Sequence, residues 1–149
     1  MSYGILGAML VVLDTSVVVV ALRSKNGASN ALLARLASRK LEVLASPPLF
    51  LEYEDVLLRP EHVAVHRLST QQVEQFLSEL AALIRPVQIH FQWRPQLTDP
   101  ADETVLETAL NGSADAIVTH NVKHFAPAIG RFDLQVLSPA EMLRRLRDE

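Results

Sequence analysis

Short apolar runs alternate with stretches of helical periodicity along most of this chain. Continuous aliphatic and β-branched runs are typical of strands that are covered on both faces. Such runs, together with weaker strand patterns, predict strands at residues 10–14, 41–45, 86–90, 114–119 and 134–137. Because helical patterns lie between them, we expect an α/β fold with a parallel sheet.

The helical segments begin at residues that cap helices well. Such residues predict helix starts at Ser46-Pro47, Ser69-Thr70, Asp99-Pro100 and Ser138-Pro139. Two further helices are predicted from about residue 16 and from residue 28. A chain of 149 residues can bury a sizeable core, so we expect one domain over residues 1–149.

The amino-acid composition limits the kinds of functional site that the chain can form. Apolar residues make up 49% of the chain and aromatic residues only 5%, so the core is aliphatic. The absence of Cys excludes disulfides, thiolate catalysis and Cys-ligated metal sites, and it favours a reducing cytoplasm. The net charge is −3, so a polyanionic partner needs local positive charge, which a carboxylate-bound divalent metal can supply.

The apolar segment 5–22 superficially resembles a signal peptide or a membrane span. It has no basic start, and Asp14 lies near its middle, where a charge is expensive in a membrane. We therefore expect neither a signal peptide nor a membrane partner.

Asp14 is the first candidate site residue. A carboxylate inside a buried strand would be desolvated at high cost, whereas the carboxyl end of a parallel strand faces the crevice where open α/β sheets bind ligands. The alternative is that Asp14 only caps the helix that begins near Ser16, and the two roles can coexist.

Further polar groups are predicted at the same edge of the sheet. Asp102 lies on the apolar stripe of its helix at the first turn, which is an unusual place for a carboxylate. The alternative is that Asp99 or Asp102 simply caps this helix. His120 and Asn121 follow the strand predicted at 114–119. Polar strand ends and an inward acid are what a cleft at the carboxyl edge of a sheet requires.

The helix after Ser46 carries two more acids. Glu52 and Glu54 each have apolar neighbours at helical spacing, so periodicity cannot choose between them, and both can be ordinary solvated carboxylates. His62 and His66 lie four residues apart, but they lack the accompanying Glu of metalloprotease helices, so a surface pair is favoured over a metal site.

Four blocks of sequence combine these candidates. They are residues 11–16 (VVLDTS), 51–57 (LEYEDVL), 99–106 (DPADETVL) and 114–121 (ADAIVTHN). In their order and spacing the blocks resemble the PIN-domain ribonucleases, and more specifically the PIN-family toxins of bacterial toxin–antitoxin systems. The resemblance implies a three-layer α/β/α fold with a central, mostly parallel five-stranded sheet.

The resemblance also implies a cluster of acids around Mg²⁺ or Mn²⁺. The family's acids correspond to Asp14, to Glu52 rather than Glu54, and to Asp102, and Asn121 stands where many members have Asp. We expect Asp14 and Asp102 to contact the metal, because Mg²⁺ typically takes one or two carboxylates and keeps several waters. Because Asn121 is neutral and adds no charge to the site, both one and two metal ions remain as alternatives.

Substrate contacts are expected around these acids. Ser16 and Thr119 match the small hydroxyl residues that line the family's site. Four basic side chains near the strand ends can hold flanking phosphates: Arg23, Lys25, His120 and Lys123. The expected function is metal-dependent hydrolysis of single-stranded RNA, with an antitoxin as a further partner and a homodimer or higher oligomer as the assembly.

Two other functions compete with this one. A haloacid-dehalogenase-like phosphatase also has an Asp after a buried strand, but the second Asp that it needs two residues later is Ser16 here. A catalytically silent RNA-binding or protein-binding module is the other alternative, which the retained acids disfavour.

Overall fold

The computed structural model describes residues 8–38 and 41–147, so residues 5–7 of the apolar N-terminal segment lie outside it. The strands are β1 (Met9–Leu13), β2 (Leu41–Ala45), β3 (Ile84–Pro86), β4 (Ala116–Val118) and β5 (Gln135–Leu137). The α-helices are α1 (Thr15–Arg23), α2 (Ala28–Ala37), α3 (Pro47–Leu57), α4 (Pro60–His66), α5 (Thr70–Leu83), α6 (Pro100–Asn111) and α7 (Pro139–Arg147), and a 3-10 helix covers Val122–Ala128. In the described ranges, no helix is long and apolar enough to cross a membrane.

The five strands form one parallel sheet in the order β3-β2-β1-β4-β5, which confirms the predicted three-layer α/β/α fold. β1 is central, because Val11 pairs with Val43 on one side and with Ala116 on the other. From β1 the chain first extends the sheet on the β2 side and then returns to add β4 and β5 on the other. This reversal creates a crevice at the carboxyl ends of β1 and β4, where ligands bind in open α/β sheets.

Local capping explains most helix starts. The Ser46 hydroxyl accepts a hydrogen bond from the backbone N–H of Leu49, and Ser69 forms a capping box with Gln72. The short helix α4 was not predicted. It begins at Pro60, which fits the first turn of a helix because that position needs no N–H donor.

The strand predicted at 86–90 is wrong in position. The chain leaves α5 and enters the sheet at once, so that Ile84 pairs with Val43 and β3 ends at Pro86. The alternating pattern beyond it reflects burial of Val87 and partial burial of Ile89, both outside the sheet. The strand predicted at 114–119 is shorter than expected.

Gly112 sits where the end of α6 passes closest to the sheet. A Cβ at this position would lie 2.8 Å from Leu44 Cδ1 and 2.9 Å from Val87 Cγ2. We expect Gly112→Ala to lower the free energy of unfolding by about 1 kcal/mol, because these side chains must shift in a packed core. Urea denaturation measures this. Gly27→Ala is the control, since its nearest neighbour is an exposed Ser24 hydroxyl, and an equal loss in both variants would contradict the packing explanation.

Candidate active site

Asp14 lies at the carboxyl end of the central strand and is 7% exposed. It occupies the position before α1, yet its carboxylate makes no capping hydrogen bond to that helix. Instead, Oδ2 accepts hydrogen bonds from the hydroxyls of Ser16 and Thr119, each at 2.7 Å. The structure therefore excludes the interpretation of Asp14 as a cap alone.

The two hydroxyls connect Asp14 to the end of β4. Thr119 is fully buried, and its Oγ1 also accepts from the backbone N–H of Asn121 at 2.9 Å. Ser16 Oγ accepts from the backbone N–H of His120 at 3.2 Å. Because both hydroxyls donate to Oδ2, the rotamer of Asp14 is fixed while Oδ1 takes neither bond.

We expect Thr119→Val to lower the free energy of unfolding by about 1 to 2 kcal/mol. Valine keeps the shape of the side chain, but Asp14 loses a donor and the Asn121 N–H loses its acceptor. Chemical denaturation measures the loss. Thr70→Val, at an exposed position on α5, is the control and should change stability by less than about 0.5 kcal/mol. Equal stability of Thr119→Val and the parent protein would show that this bridge contributes nothing.

Asp102 lies in the first turn of α6 and is 8% exposed. It does not cap the helix, because Asp99 does so by accepting a hydrogen bond from the Ala101 N–H at 2.8 Å. Asp102 lies beside His124, whose Nδ1 is 3.5 Å from Oδ2. The buried carboxylate is thus free of the capping role that Asp99 fills.

Burial and neighbouring charges raise the pKa of two of these carboxylates. Burial, followed by the charges of Asp14 and Asp99, raises the pKa of Asp102 to about 6, against a smaller opposing effect of His124. Burial, and then the charges of Asp14 and Asp99, also raise the pKa of Glu52. Such effects act over short distances, so these acids share one region at the carboxyl edge of the sheet.

α3 places Glu52, and not Glu54, in this region. The buried Tyr53 hydroxyl donates to the carbonyl of Leu13 at 2.6 Å, which attaches α3 to the end of β1. Glu52 is therefore near Asp14, whereas Glu54 is exposed in a groove between α3 and α5. The position of Glu52 agrees with its choice over Glu54, and its role as a site acid stays a prediction.

A pocket of about 440 Å³ opens beside Asp102. Its lining consists of Thr98, Asp99, Asp102, Lys123, His124 and Pro127. Lys123 is thus close to the acids, as predicted for a phosphate contact. Asn121 is exposed and lies two residues after Thr119, and the ring of His120 bonds the buried Ser29 hydroxyl at 2.6 Å. Burial lowers the pKa of His120.

Arg23 and Lys25 are not brought to the acids. α1 begins directly after Asp14 and carries Arg23 in its last turn, about 13 Å along the helix axis from Asp14. The Arg23 guanidinium contacts His62 Nδ1 at 2.8 Å. Both basic residues can meet only a longer substrate that extends past α1.

The carboxylate oxygens of this site are suitable ligands for a divalent cation, although the side chains are widely spaced. Among the described residues, no group of three or more His, Asp or Glu side chains is close enough together to hold a metal ion as the site stands. Mg²⁺ does not need such a cage, because one or two carboxylates, water and substrate phosphates make up a typical set. The uncompensated repulsion that raises the pKa of Asp102 is what a cation would relieve.

Sequence reasoning gave Asp99 only a capping role and missed Tyr53. Asp99 does cap α6, but its charge also acts on Glu52 and Asp102. The spacing of Asp99 and Asp102, which puts both carboxylates in one helical turn, was the available signal. Tyr53 gave no signal, since its contact with β1 is visible only in three dimensions.

Comparisons with known proteins agree with the family that the four sequence blocks resemble. A family model described as PIN domain matches residues 10–123. Among solved structures, VapBC-1 from nontypeable Haemophilus influenzae matches with a TM-score of 0.62 and 16% identity over 89% of this chain and 99% of that chain. VapBC2 from Rickettsia felis, bound to a DNA fragment from its promoter, matches with a TM-score of 0.61 and 16% identity over 86% and 98%. No curated protein matches the chain.

Proposed function

This chain belongs to the PIN domain family, and from that premise we propose that it is a metal-dependent endoribonuclease that hydrolyses single-stranded RNA. The observation that carries the proposal is the pair of buried acids, Asp14 and Asp102, placed at the carboxyl edge of the sheet and repelling each other. Buried like charges raise the free energy of the folded protein, so their retention suggests a function.

Each site residue has a role in this proposal. Asp14 and Asp102 would hold Mg²⁺ or Mn²⁺, and Glu52 and Asn121 would complete the set directly or through water. A divalent cation at such acids supplies polarisation of the phosphodiester, neutralisation of its charge and activation of water. Ser16, with Thr119, keeps Asp14 in a fixed rotamer. The side chains assigned to flanking phosphates are Lys123 and His120, with Arg23 and Lys25 serving longer substrates.

The test is cleavage of a mixed pool of single-stranded RNA by the purified protein. We expect cleavage with Mn²⁺ or Mg²⁺, loss of cleavage in EDTA and recovery when metal is restored. A duplex RNA of the same composition serves as the control for strand preference. Undiminished cleavage in EDTA would refute the metal mechanism.

The proposal extends to partners. We infer a cytoplasmic toxin of a toxin–antitoxin pair, with an antitoxin protein as inhibitor and a homodimer or higher oligomer as its assembly. The order and spacing of the four sequence blocks support this. Co-expression with the product of a small neighbouring reading frame should restore growth to cells that this protein inhibits, whereas growth inhibition that no neighbouring product relieves would count against a pair.

The phosphatase alternative loses its support. The residue two positions after Asp14 is Ser16, and its hydroxyl donates to Asp14 rather than replacing a general acid. A metal titration separates the nuclease from the silent binding module, since the latter has no need of a divalent cation.

A further inference from the structure

The loop between β3 and α6 exposes large aromatic side chains. Phe91 is 64% exposed and Trp93 is 39% exposed. Their ring centroids lie 5.7 Å apart with the planes tilted by 41°, and Trp93 lies 6.3 Å from the ring of Phe132. We call Phe91, Trp93 and Phe132 the aromatic surface. Exposed aromatic clusters on a soluble protein usually mark a binding surface.

The loop is firmly anchored to α6. The Asn111 side chain accepts two hydrogen bonds from successive backbone N–H groups that end with Phe91, and it donates to the Phe91 carbonyl at 2.9 Å. Arg94 makes a two-point ion pair, at 2.8 and 3.0 Å, with the buried Glu107. The buried Glu103 accepts the N–H groups of residues 96 and 97. The backbone that carries the aromatic rings is therefore held in place before any partner binds, which lowers the entropy cost of binding.

The aromatic surface is joined along the chain to the pocket beside Asp102. The loop that carries Trp93 runs on to Thr98 and Asp99 in the pocket lining, at most about 20 Å away along the chain. The segment that carries Phe132 follows the 3-10 helix, which also lines the pocket, and Arg131 of this segment donates to the Gln96 side chain at 2.6 Å. A strand that leaves the pocket can therefore reach the rings within a few nucleotides.

Two cations near the rings can pair with phosphates. Arg131 directly precedes Phe132, and Lys123 lies in the adjoining pocket. Arg94 directly follows Trp93, but its charge is already paired with a buried glutamate, and exposed Asp133 is an opposing charge on the segment with Phe132. Aromatic faces beside arginines bind single-stranded nucleic acids, because every unpaired base offers a face for stacking while the cations neutralise phosphates.

We propose that the aromatic surface is a base-stacking subsite, on which an unpaired base of the RNA, a few nucleotides from the cleaved phosphate, stacks against Phe91 and Trp93. This inference rests on the proposed function for its ligand. It also gives a physical reason for single-strand preference, since paired bases do not present their faces.

Binding in EDTA tests the subsite without cleavage. Trp93 is the single Trp of the chain, so its fluorescence reports directly on this surface. We expect a single-stranded RNA dodecamer to quench it, and the same strand without bases, or in a duplex, to quench it weakly. Phe91→Ala should weaken binding of the single strand about 10-fold, and Phe91→Leu should weaken it nearly as much, because leucine has no ring. Phe91→Tyr should bind normally.

Leu51→Ala is the matched control, because Leu51 on α3 is also 64% exposed and should not affect binding. With Mn²⁺, Phe91→Ala should raise KM and leave kcat nearly unchanged. Equal RNA binding by Phe91→Ala and the parent protein, or equal quenching by duplex, would overturn the subsite even if cleavage is intact, and would leave the surface to a protein partner. Binding that depends on Phe91 without cleavage in Mn²⁺ would support the subsite and refute the nuclease.

Discussion

Replacing Asp102 with Asn should abolish RNA cleavage and, without divalent metal, stabilise the protein. Cleavage should fall at least about 100-fold. Loss of a residue that only hydrogen-bonds a metal ligand already reduces activity by up to about 100-fold, and loss of a charged ligand itself should cost at least as much. Stability should rise because the charges of Asp14 and Asp99, together with burial, oppose the ionised form of Asp102. Function and stability are thus expected to move in opposite directions.

The stabilisation expected for Asp102→Asn depends on pH. The pKa of Asp102 is about 6 in the folded protein against an ordinary value of 3.8, so the folded state binds the proton more tightly than the unfolded state. The free energy of unfolding therefore falls as pH rises from about 4 to about 6. At 1.36 kcal/mol per pKa unit the effect is at most about 3 kcal/mol, and water in the pocket reduces it, so we expect Asp102→Asn to gain about 1 to 3 kcal/mol at pH 7.5 and little at pH 4.

Urea denaturation in EDTA at the two pH values measures this gain, and an RNA cleavage assay in Mn²⁺ accompanies it. Glu79→Gln, an exposed carboxylate on α5, is the control and should change neither quantity. Mn²⁺ should stabilise the parent protein more than the variant, because the metal site proposed for the folded state includes Asp102. A variant that is less stable yet still cleaves RNA would show that Asp102 serves only to begin α6.

Replacing Arg94 with Met should lower the free energy of unfolding by about 3 kcal/mol. The partner carboxylate of Glu107 is only 4% exposed, and it would lose both hydrogen bonds to the guanidinium. An unpaired buried charge typically costs about 3 to 5 kcal/mol, and the low end applies here because Arg94 is 42% exposed, which lets water approach.

The chain offers a matched control for this prediction. Arg59 pairs with Asp55 at the same 2.8 Å distance, but both side chains are largely exposed. Arg59→Met should therefore cost less than about 0.5 kcal/mol. Adding Glu107→Gln to Arg94→Met should recover part of the loss, because it removes the buried charge. Equal losses at Arg94 and Arg59 would contradict the role assigned to burial.

The sequence predicts the elements whose cause is local. The strand at Leu41–Ala45 has the predicted bounds, and Pro47 and Pro100 begin helices because capping residues precede them. Asp14 could be singled out as a candidate site residue because a carboxylate is unusual at the end of an apolar run. These features depend on neighbours within a few residues, which a single sequence displays.

The remaining features depend on contacts between distant segments. β3 was misplaced because its partner is β2, about 40 residues away, and the backbone beyond β3 bonds the Asn111 side chain of α6. Glu52 differs from Glu54 in its distance from Asp14, and this difference depends on the attachment of α3 to β1 through Tyr53. Arg23 seemed close to Asp14 because nine residues are few in sequence, yet nine residues of helix span about 13 Å.

The hydrogen bond between Thr119 and Asp14 joins residues 105 positions apart, so this part of the candidate site can form only late in synthesis. A ribosome adds about 5 to 20 residues per second, so Asp14 waits about 5 to 20 seconds for Thr119 to be made. For most of that interval the nascent chain also lacks Asp102. Unfinished chains that end before residue 119 therefore carry no assembled site, so the proposed nuclease is inactive while most of its own chain is being translated.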